Sequence, residues 1–464
     1  MSWKGPNSRR DNSSAGGLTL VEGLKRGTGR DNSQYRTPAW ALFAAITVCW
    51  VLAAAGMRPA GRETFEGVGG ADWLAVLKLL ARMGCLGVLV VVLVRLRKPA
   101  GFRSVTRALV PFGLFAAWAM VSSLWSPIPT VSFPKAVGLL TCVLLARLAA
   151  AIAIDERGFS SLIKHLAVLT LTFTLANIIG TRFYATPEMV ESLNTYDMPR
   201  AGVLMHFNIA AQISGICVLL VVMGCFLFKW KWARMLLPPV AVLGLSFLWY
   251  ANSRMALLAT AIALAGFAVL TLNFRQILAL SLLPAIIASI LFIVDPLTGY
   301  SRIVGKYAAD HLMRGQDAKQ LEEFSGRVEK WKLALDSFVD SPIAGRGYDF
   351  ISKDKMVFVN GAWQPLPAHS MYLDVLVGTG LIGALLFLWA VASAIRPALC
   401  WLRSPVRGQR RRAVFCLVMA GWFFVVGCTE VAFLSAISAV SVVAFCNFGM
   451  IVAMVVSQPV PRAA

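Results

Sequence analysis

The chain has 464 residues, of which 58% are hydrophobic and only 14% charged. A soluble domain carries about a quarter charged residues, so this chain needs an apolar solvent, and a bilayer supplies one. The formal charge of +21 does not mark a nucleic-acid partner, because the basic residues sit in short tracts between apolar runs and not on one folded face.

Residues 1–37 are polar, with Gly, Ser, Asn and Arg prominent. They lack the apolar stretch and cleavage site of a secretory signal peptide, and read as a disordered cytoplasmic tail. In hydrocarbon every backbone polar group must find an internal partner, which leaves helices or closed barrels. The apolar runs here are close to the twenty or so residues that a helix needs to cross. The sequence therefore predicts an all-α polytopic membrane protein of about twelve spans: 38–56, 73–94, 108–125, 133–154, 162–180, 206–228, 235–251, 255–272, 276–294, 370–395, 413–430 and 432–456. Residues 38–294 hold spans one to nine, 295–369 a large loop, 370–456 spans ten to twelve, and 457–464 a second cytoplasmic tail. The link Asn252-Ser253-Arg254 is short enough to be a hairpin turn at one surface. The nine cysteines lie mostly inside apolar runs, with no CxxC pair, so neither a structural disulfide nor a cysteine metal site is expected.

Lysine and arginine orient the spans. Arg95 to Lys98, Arg157 and Lys164, Lys229 to Arg234, Arg275, and Arg396 to Arg412 occupy alternate connections, while the opposite ones hold only Arg58, Arg62, Arg182, Arg200 and Arg254. By the positive-inside rule both termini face the cytoplasm and the loop 295–369 faces outward. A loop of that length is expected to be functional. Its acidic and basic residues balance at ten each, so it does not carry the net charge. Val328, Trp331, Leu335 and Phe338 follow helical spacing after Ser325, a candidate N-cap, and Pro342 and Gly345 end the helix. The expectation is a partly helical cap lying on the outer membrane surface.

The outward ends gather ionisable groups, which at membrane depth mark a substrate path or site. His369-Ser370 closes the loop, and Arg254 opens span eight. Arg200, His206 and Asn208 lie at the start of span six, Arg327 opens the loop helix, Arg346 follows in Gly345-Arg346-Gly347, and Glu430 ends span eleven. Guanidinium forks bind phosphate oxygens with paired hydrogen bonds, and a histidine can take the proton of an attacking hydroxyl. The set suits an anionic, phosphorylated substrate carried in the membrane. Each residue also has a structural reading: arginines at span ends snorkel, His369 can cap span ten with Ser370, and Gly345-Arg346-Gly347 reads as a turn. Lys78 and Arg82, one turn apart in span two, fit a structural or a functional role. There is no Walker loop, no HExxH and no zinc spacing.

In order along the chain, several motifs resemble the O-antigen ligase and polymerase superfamily of bacterial envelope proteins. They are Trp125-Ser126-Pro127 with Pro129, Arg200-Ala201-Gly202 before His206-Phe207-Asn208, Asn252-Ser253-Arg254, and Gly326-Arg327 through Trp331, Ala334 and Leu335. Ser341-Pro342-Ile343-Ala344-Gly345-Arg346-Gly347-Tyr348, and His369-Ser370 with Leu373 before Gly380-Leu381-Ile382-Gly383, complete the series. Phe207 departs from the Lys or Pro more usual there, and Ser370 from the more usual Asn. The resemblance implies glycosyl transfer outside the inner membrane, from an oligosaccharide on undecaprenyl diphosphate, with no metal or other cofactor. Arg200, Arg254 and Arg327 would grip the diphosphate, and His369 would act on the acceptor hydroxyl. The implied partners are the lipid-linked oligosaccharide, a glycan acceptor, membrane lipid, and a chain-length regulator or export complex. Ser370 and the Met205-His206-Phe207-Asn208 run favour an exopolysaccharide or O-antigen polymerase over a ligase that acts on lipid A–core. The alternatives from other classes are a transporter or glycolipid flippase and an export scaffold. No half-repeat supports a transporter.

Overall fold

The computed structural model describes residues 39–55, 73–95, 102–184, 207–228, 230–273, 306, 327–348, 356–359, 362–365, 368–431, 433–434 and 437–456. Its helices are α1 (Ala39–Ala55), α2 (Trp73–Arg95), α3 (Phe102–Ser122), α4 (Pro129–Ile152), α5 (Glu156–Tyr184), α6 (Phe207–Phe228), α7 (Lys231–Tyr250) and α8 (Arg254–Thr271). After these come the loop helix α9 (Arg327–Asp340), α10 (Met371–Leu402), α11 (Arg407–Gly427) and α12 (Ala439–Ala453). Among the described residues, six helices are long and apolar enough to cross a membrane by length and composition. The protein is a polytopic helical membrane protein.

Burial divides the helices as their sequences do. Every residue of α12 from Ala439 to Ala453 is buried, and α6 is buried along most of its length. A helix that is apolar all round belongs in the centre. Gly449 brings α12 so near α4 that an added methyl would strike the Ala146 carbonyl. Phe112, Phe433, Phe445 and Phe448 meet edge-on or tilted beside it. The outer helices instead expose apolar side chains such as Val94, Phe183, Leu385 and Leu388, which is the surface a bilayer covers. His165 is a structural residue here: its Nε2 lies 2.9 Å from Thr47 Oγ1, and its ring rests on Phe43.

Several helix limits differ from the sequence expectation. Helix α3 starts at Phe102 and so takes in Arg103 and Arg107, because arginine stems can run along apolar surface with the charge in the headgroups. Helix α4 starts at Pro129, a residue suited to the first helical position. Helix α11 stops at Gly427, which leaves Thr429 and Glu430 outside the regular helix. Span 276–294, the Ser325 cap, both tails, Arg200 and His206 lie outside the described residues. Lys78 and Arg82 fall on α2, and their side chains lie outside the description as well. The loop also holds a feature that the sequence reading lacked, an antiparallel hairpin of β1 (Met356–Val359) and β2 (Ala362–Pro365) with Val357 opposite Gln364.

Candidate functional site

The loop is sewn to the bundle through a break in α10. Gly380 has φ 66° and ψ −170°, non-helical values that interrupt the ladder. The loop segment after α9 supplies the missing partners. Arg346 N donates to Val377 O at 2.9 Å and Gly347 N to Gly378 O at 2.9 Å, while Leu381 N donates to Pro342 O at 2.8 Å. Broken backbone at this depth persists only where protein satisfies it again. Three glycines make the approach possible, since a side chain on Gly345 or Gly380 would overlap the opposite backbone, and one on Gly347 would overlap Ser126. Gly345 has φ 71°, a value that favours glycine. Trp125 Nε1 donates to Gly345 O at 3.0 Å, and Trp118 Nε1 to Thr379 O at 2.9 Å, which ties α3 and the turn after it to the same clamp. Gly345-Arg346-Gly347 is therefore a backbone clamp across a broken span.

This clamp fixes α9, whose Trp331, Ala334 and Phe338 pack on Ala368, Leu373 and Val377. Leu335, placed on the apolar stripe by its spacing, is instead exposed, because the contact face is narrower than the stripe. Trp331 Nε1 donates to Ala368 O at 2.9 Å, immediately before His369. Immediately after Ser370, Met371 N donates to Glu430 O at 3.2 Å. Between these two tethers His369 adopts φ 52°, a left-handed conformation that costs a non-glycine residue of the order of 1–2 kcal/mol. Strain of this kind persists where the surroundings over-determine it, and it clusters at functional sites. Ser370 is buried at the N-cap of α10 with an extended backbone, but its side chain makes no capping bond.

Glu430 is the centre of the site. Its Oε1 accepts from Arg327 at 2.8 Å and from Asn208 Nδ2 at 3.0 Å, and its Oε2 lies 3.6 Å from His369 Nδ1. The first two are hydrogen bonds, and the third is a close electrostatic approach too long to be one. One side chain thus gathers residues from α6, α9 and the turn before α10. Lys330 lies one helical turn after Arg327 on α9: burial, and then the Arg327 charge, push its ammonium below the usual range, while Glu430 opposes this.

Arg254 is the first residue of α8, after Asn252 at φ 50° and Ser253 at the N-cap. Trp422 Nε1 donates to Thr260 Oγ1 at 3.1 Å, and Gly215 sits against both residues, so these three mark one level of the bundle. Counted from that level, Arg254, Asn208 and Glu430 each lie six to eight residues toward the same end. Arg254 therefore shares its end of the bundle with the Glu430 cluster. Arg346 does not join the cluster: its Nε donates to Ser337 O at 3.1 Å and its guanidinium pairs with Asp340, which caps the C-terminal end of α9. The sequence named Glu430 as a candidate without a role. A lone carboxylate closing an apolar run was the available signal.

A family model described as O-Antigen ligase matches residues 239–388. The match falls in the O-antigen ligase/polymerase superfamily. It spans Arg254, α9, the glycine clamp, His369 and the break at Gly380, whereas Asn208 and Glu430 lie outside it. At the level of the family it supports a role in polysaccharide ligation or polymerisation. Comparison with curated proteins finds no match.

Proposed function

We propose that this protein transfers glycan at the outer face of the bacterial inner membrane, from an oligosaccharide on undecaprenyl diphosphate to a hydroxyl of an acceptor glycan. The polymerisation of exopolysaccharide or O-antigen repeat units is the form of this reaction that we favour. The observation that carries the reading is the convergence of Arg327, Asn208 and His369 on Glu430, at the bundle end that also holds Arg254. With Glu430 facing Nδ1, the histidine keeps Nε2 for the acceptor hydroxyl. Nε2 takes the hydroxyl proton as the oxygen forms a bond to the anomeric carbon of the donor. The bond from that carbon to the diphosphate breaks, and undecaprenyl diphosphate leaves with the electron pair. Arg327, Lys330 and Arg254, with Arg200 from the sequence pattern, offset the charge that builds on the diphosphate. Fixed cations aimed at developing charge supply a large share of many catalytic effects, so the chain's own guanidinium groups serve where other transferases use a metal.

Both termini are cytoplasmic in this reading, and a chain-length regulator or export complex is the expected partner. Transfer to lipid A–core is the second reading, because the matched family is described as a ligase. Purified protein supplied with lipid-linked repeat units tests both. Release of undecaprenyl diphosphate with lengthened lipid-linked glycan marks a polymerase, and transfer only when lipid A–core is added marks a ligase. His369→Ala and Arg254→Ala should each abolish transfer while membrane insertion is retained. Wild-type rates in both variants would remove the mechanism.

A further inference from the structure

One turn into α10 from the Glu430 cluster lies a second group of polar atoms that this mechanism leaves unused. Asp374 is 5% exposed, and neither of its carboxylate oxygens has a hydrogen-bond partner. Tyr348 is 3% exposed, and its hydroxyl is also unpartnered. Both line one small pocket, whose other walls are Val375, Val431 and Leu434. The Ala368 amide and the charges of Lys135 and Glu430 act on Asp374, but none of them makes a hydrogen bond of ordinary geometry with it. Buried polar atoms left unpaired cost free energy comparable to a lost hydrogen bond, and two such side chains lining one pocket indicate something that partners them.

The chemistry narrows the occupant. A phenol can donate or accept, an ionised carboxylate only accepts, and a protonated carboxyl can do either. An ammonium ion could donate to Asp374 and to the Tyr348 oxygen, but would leave the phenol proton without an acceptor. A phosphate oxygen would accept from Tyr348, but its charge would lie among apolar walls beside a carboxyl group. An apolar group would satisfy neither. A hydroxyl does both, accepting from Tyr348 and donating to Asp374, and the valine and leucine walls leave room for about one water-sized group.

We propose that Tyr348 and Asp374 form a binding site for a single hydroxyl group, carried either by a water or by the acceptor sugar, beside the Glu430 cluster. The position makes it consequential. Val431 follows Glu430, and Asp374 N donates to Ser370 O at 2.9 Å, next to His369. Tyr348 N donates to Ser122 Oγ at 3.0 Å, at the foot of the glycine clamp. The occupant therefore links the loop clamp to the turn that bears the histidine. The sugar arm rests on the glycosyl-transfer reading, whereas the site itself does not.

The test uses the full chain in lipid nanodiscs with Tyr348→Phe, Asp374→Asn and the double variant. Phe retains the ring that packs edge-on against Phe115 at 6.4 Å, and Asn retains the volume. The first readout is thermal unfolding and needs no substrate. If one hydroxyl bridges the two residues, the double variant unfolds no lower than the worse single variant. Additive shifts overturn the site. The second readout is transfer kinetics with acceptor glycan titrated at saturating donor. A KM raised about tenfold or more with kcat kept assigns the hydroxyl to the sugar. A lowered kcat at unchanged KM assigns it to a water that positions the His369 turn, as does a non-additive unfolding pattern with unchanged kinetics. Should the wild-type protein transfer no glycan at all, the functional reading falls, and the unfolding cycle still decides the site.

Discussion

Replacing Glu430 with Gln keeps the shape of the side chain and removes its charge from the point where three residues meet. Two unit charges about 4 Å apart interact by about 4 kcal/mol at an effective dielectric of about 20. Glu430 Oε2 stands 3.6 Å from His369 Nδ1, and the two side chains are 12% and 29% exposed. Water screens part of the interaction, so we take half of it, about 2 kcal/mol, as what the carboxylate gives a histidine that gains a proton in the transition state. At about 1.4 kcal/mol per tenfold, that is about a 30-fold loss of kcat. Arg327 also loses its charged partner and becomes more available to the diphosphate, so KM for the donor should fall or stay level. Initial rates of undecaprenyl diphosphate release from lipid-linked repeat units measure both quantities, with thermal unfolding as a control for folding. A Glu430→Gln protein with wild-type kcat would show that Glu430 does no more than tether the chain, and the proposed role of the cluster would go with it.

Other substitutions separate the clamp from the chemistry. Gly380→Ala meets both a φ of 66° and overlap with Ile343 O and Gly345 N, and should destabilise the protein by about 3 kcal/mol or more, measured as a lower unfolding midpoint and as greater protease cleavage in the loop. Arg346→Ala loses the contacts to Ser337 O and Asp340, and should cost about 1–2 kcal/mol of stability with kcat within about threefold of wild type. A loss of activity without a loss of stability would return Arg346 to the substrate site. Trp331→Phe removes the bond to Ala368 O that braces His369. It should lower kcat about tenfold and lower stability by only about 1 kcal/mol, and a large loss of stability with kcat unchanged would assign Trp331 to packing alone.

Some features of this protein were legible in order along the chain. Residue composition separated membrane from soluble protein, because the backbone cannot enter hydrocarbon without internal pairing. The apolar runs located α1, α2, α5 and α6 to within a few residues at one end or both, and the Val328, Trp331, Phe338 spacing located α9. Helix ends were less legible. Arg103 and Arg107 argued against a helix that tolerates them at its interfacial end, and nothing local marked the stop of α11 at Gly427. His369, Arg327 and Asn208 were recognisable as candidates because polar groups are rare beside apolar runs and each has chemistry suited to a phosphate or a hydroxyl.

Which of those candidates meet was not written locally. Arg327 and Arg346 look alike in sequence, yet one turns to Glu430 and the other caps α9, because the clamp across Gly380 sets the direction of the loop. Glu430 lies 103 residues from Arg327 and 222 from Asn208, and a hydrogen bond over such separations exists only once the helices have packed. The kinds of residue available, and the solvent in which they must work, were thus determined by the amino-acid sequence read locally. Their convergence on one carboxylate, and the left-handed turn that holds His369 there, came from tertiary packing, since a backbone break in one span can be satisfied only by a segment brought from elsewhere in the chain.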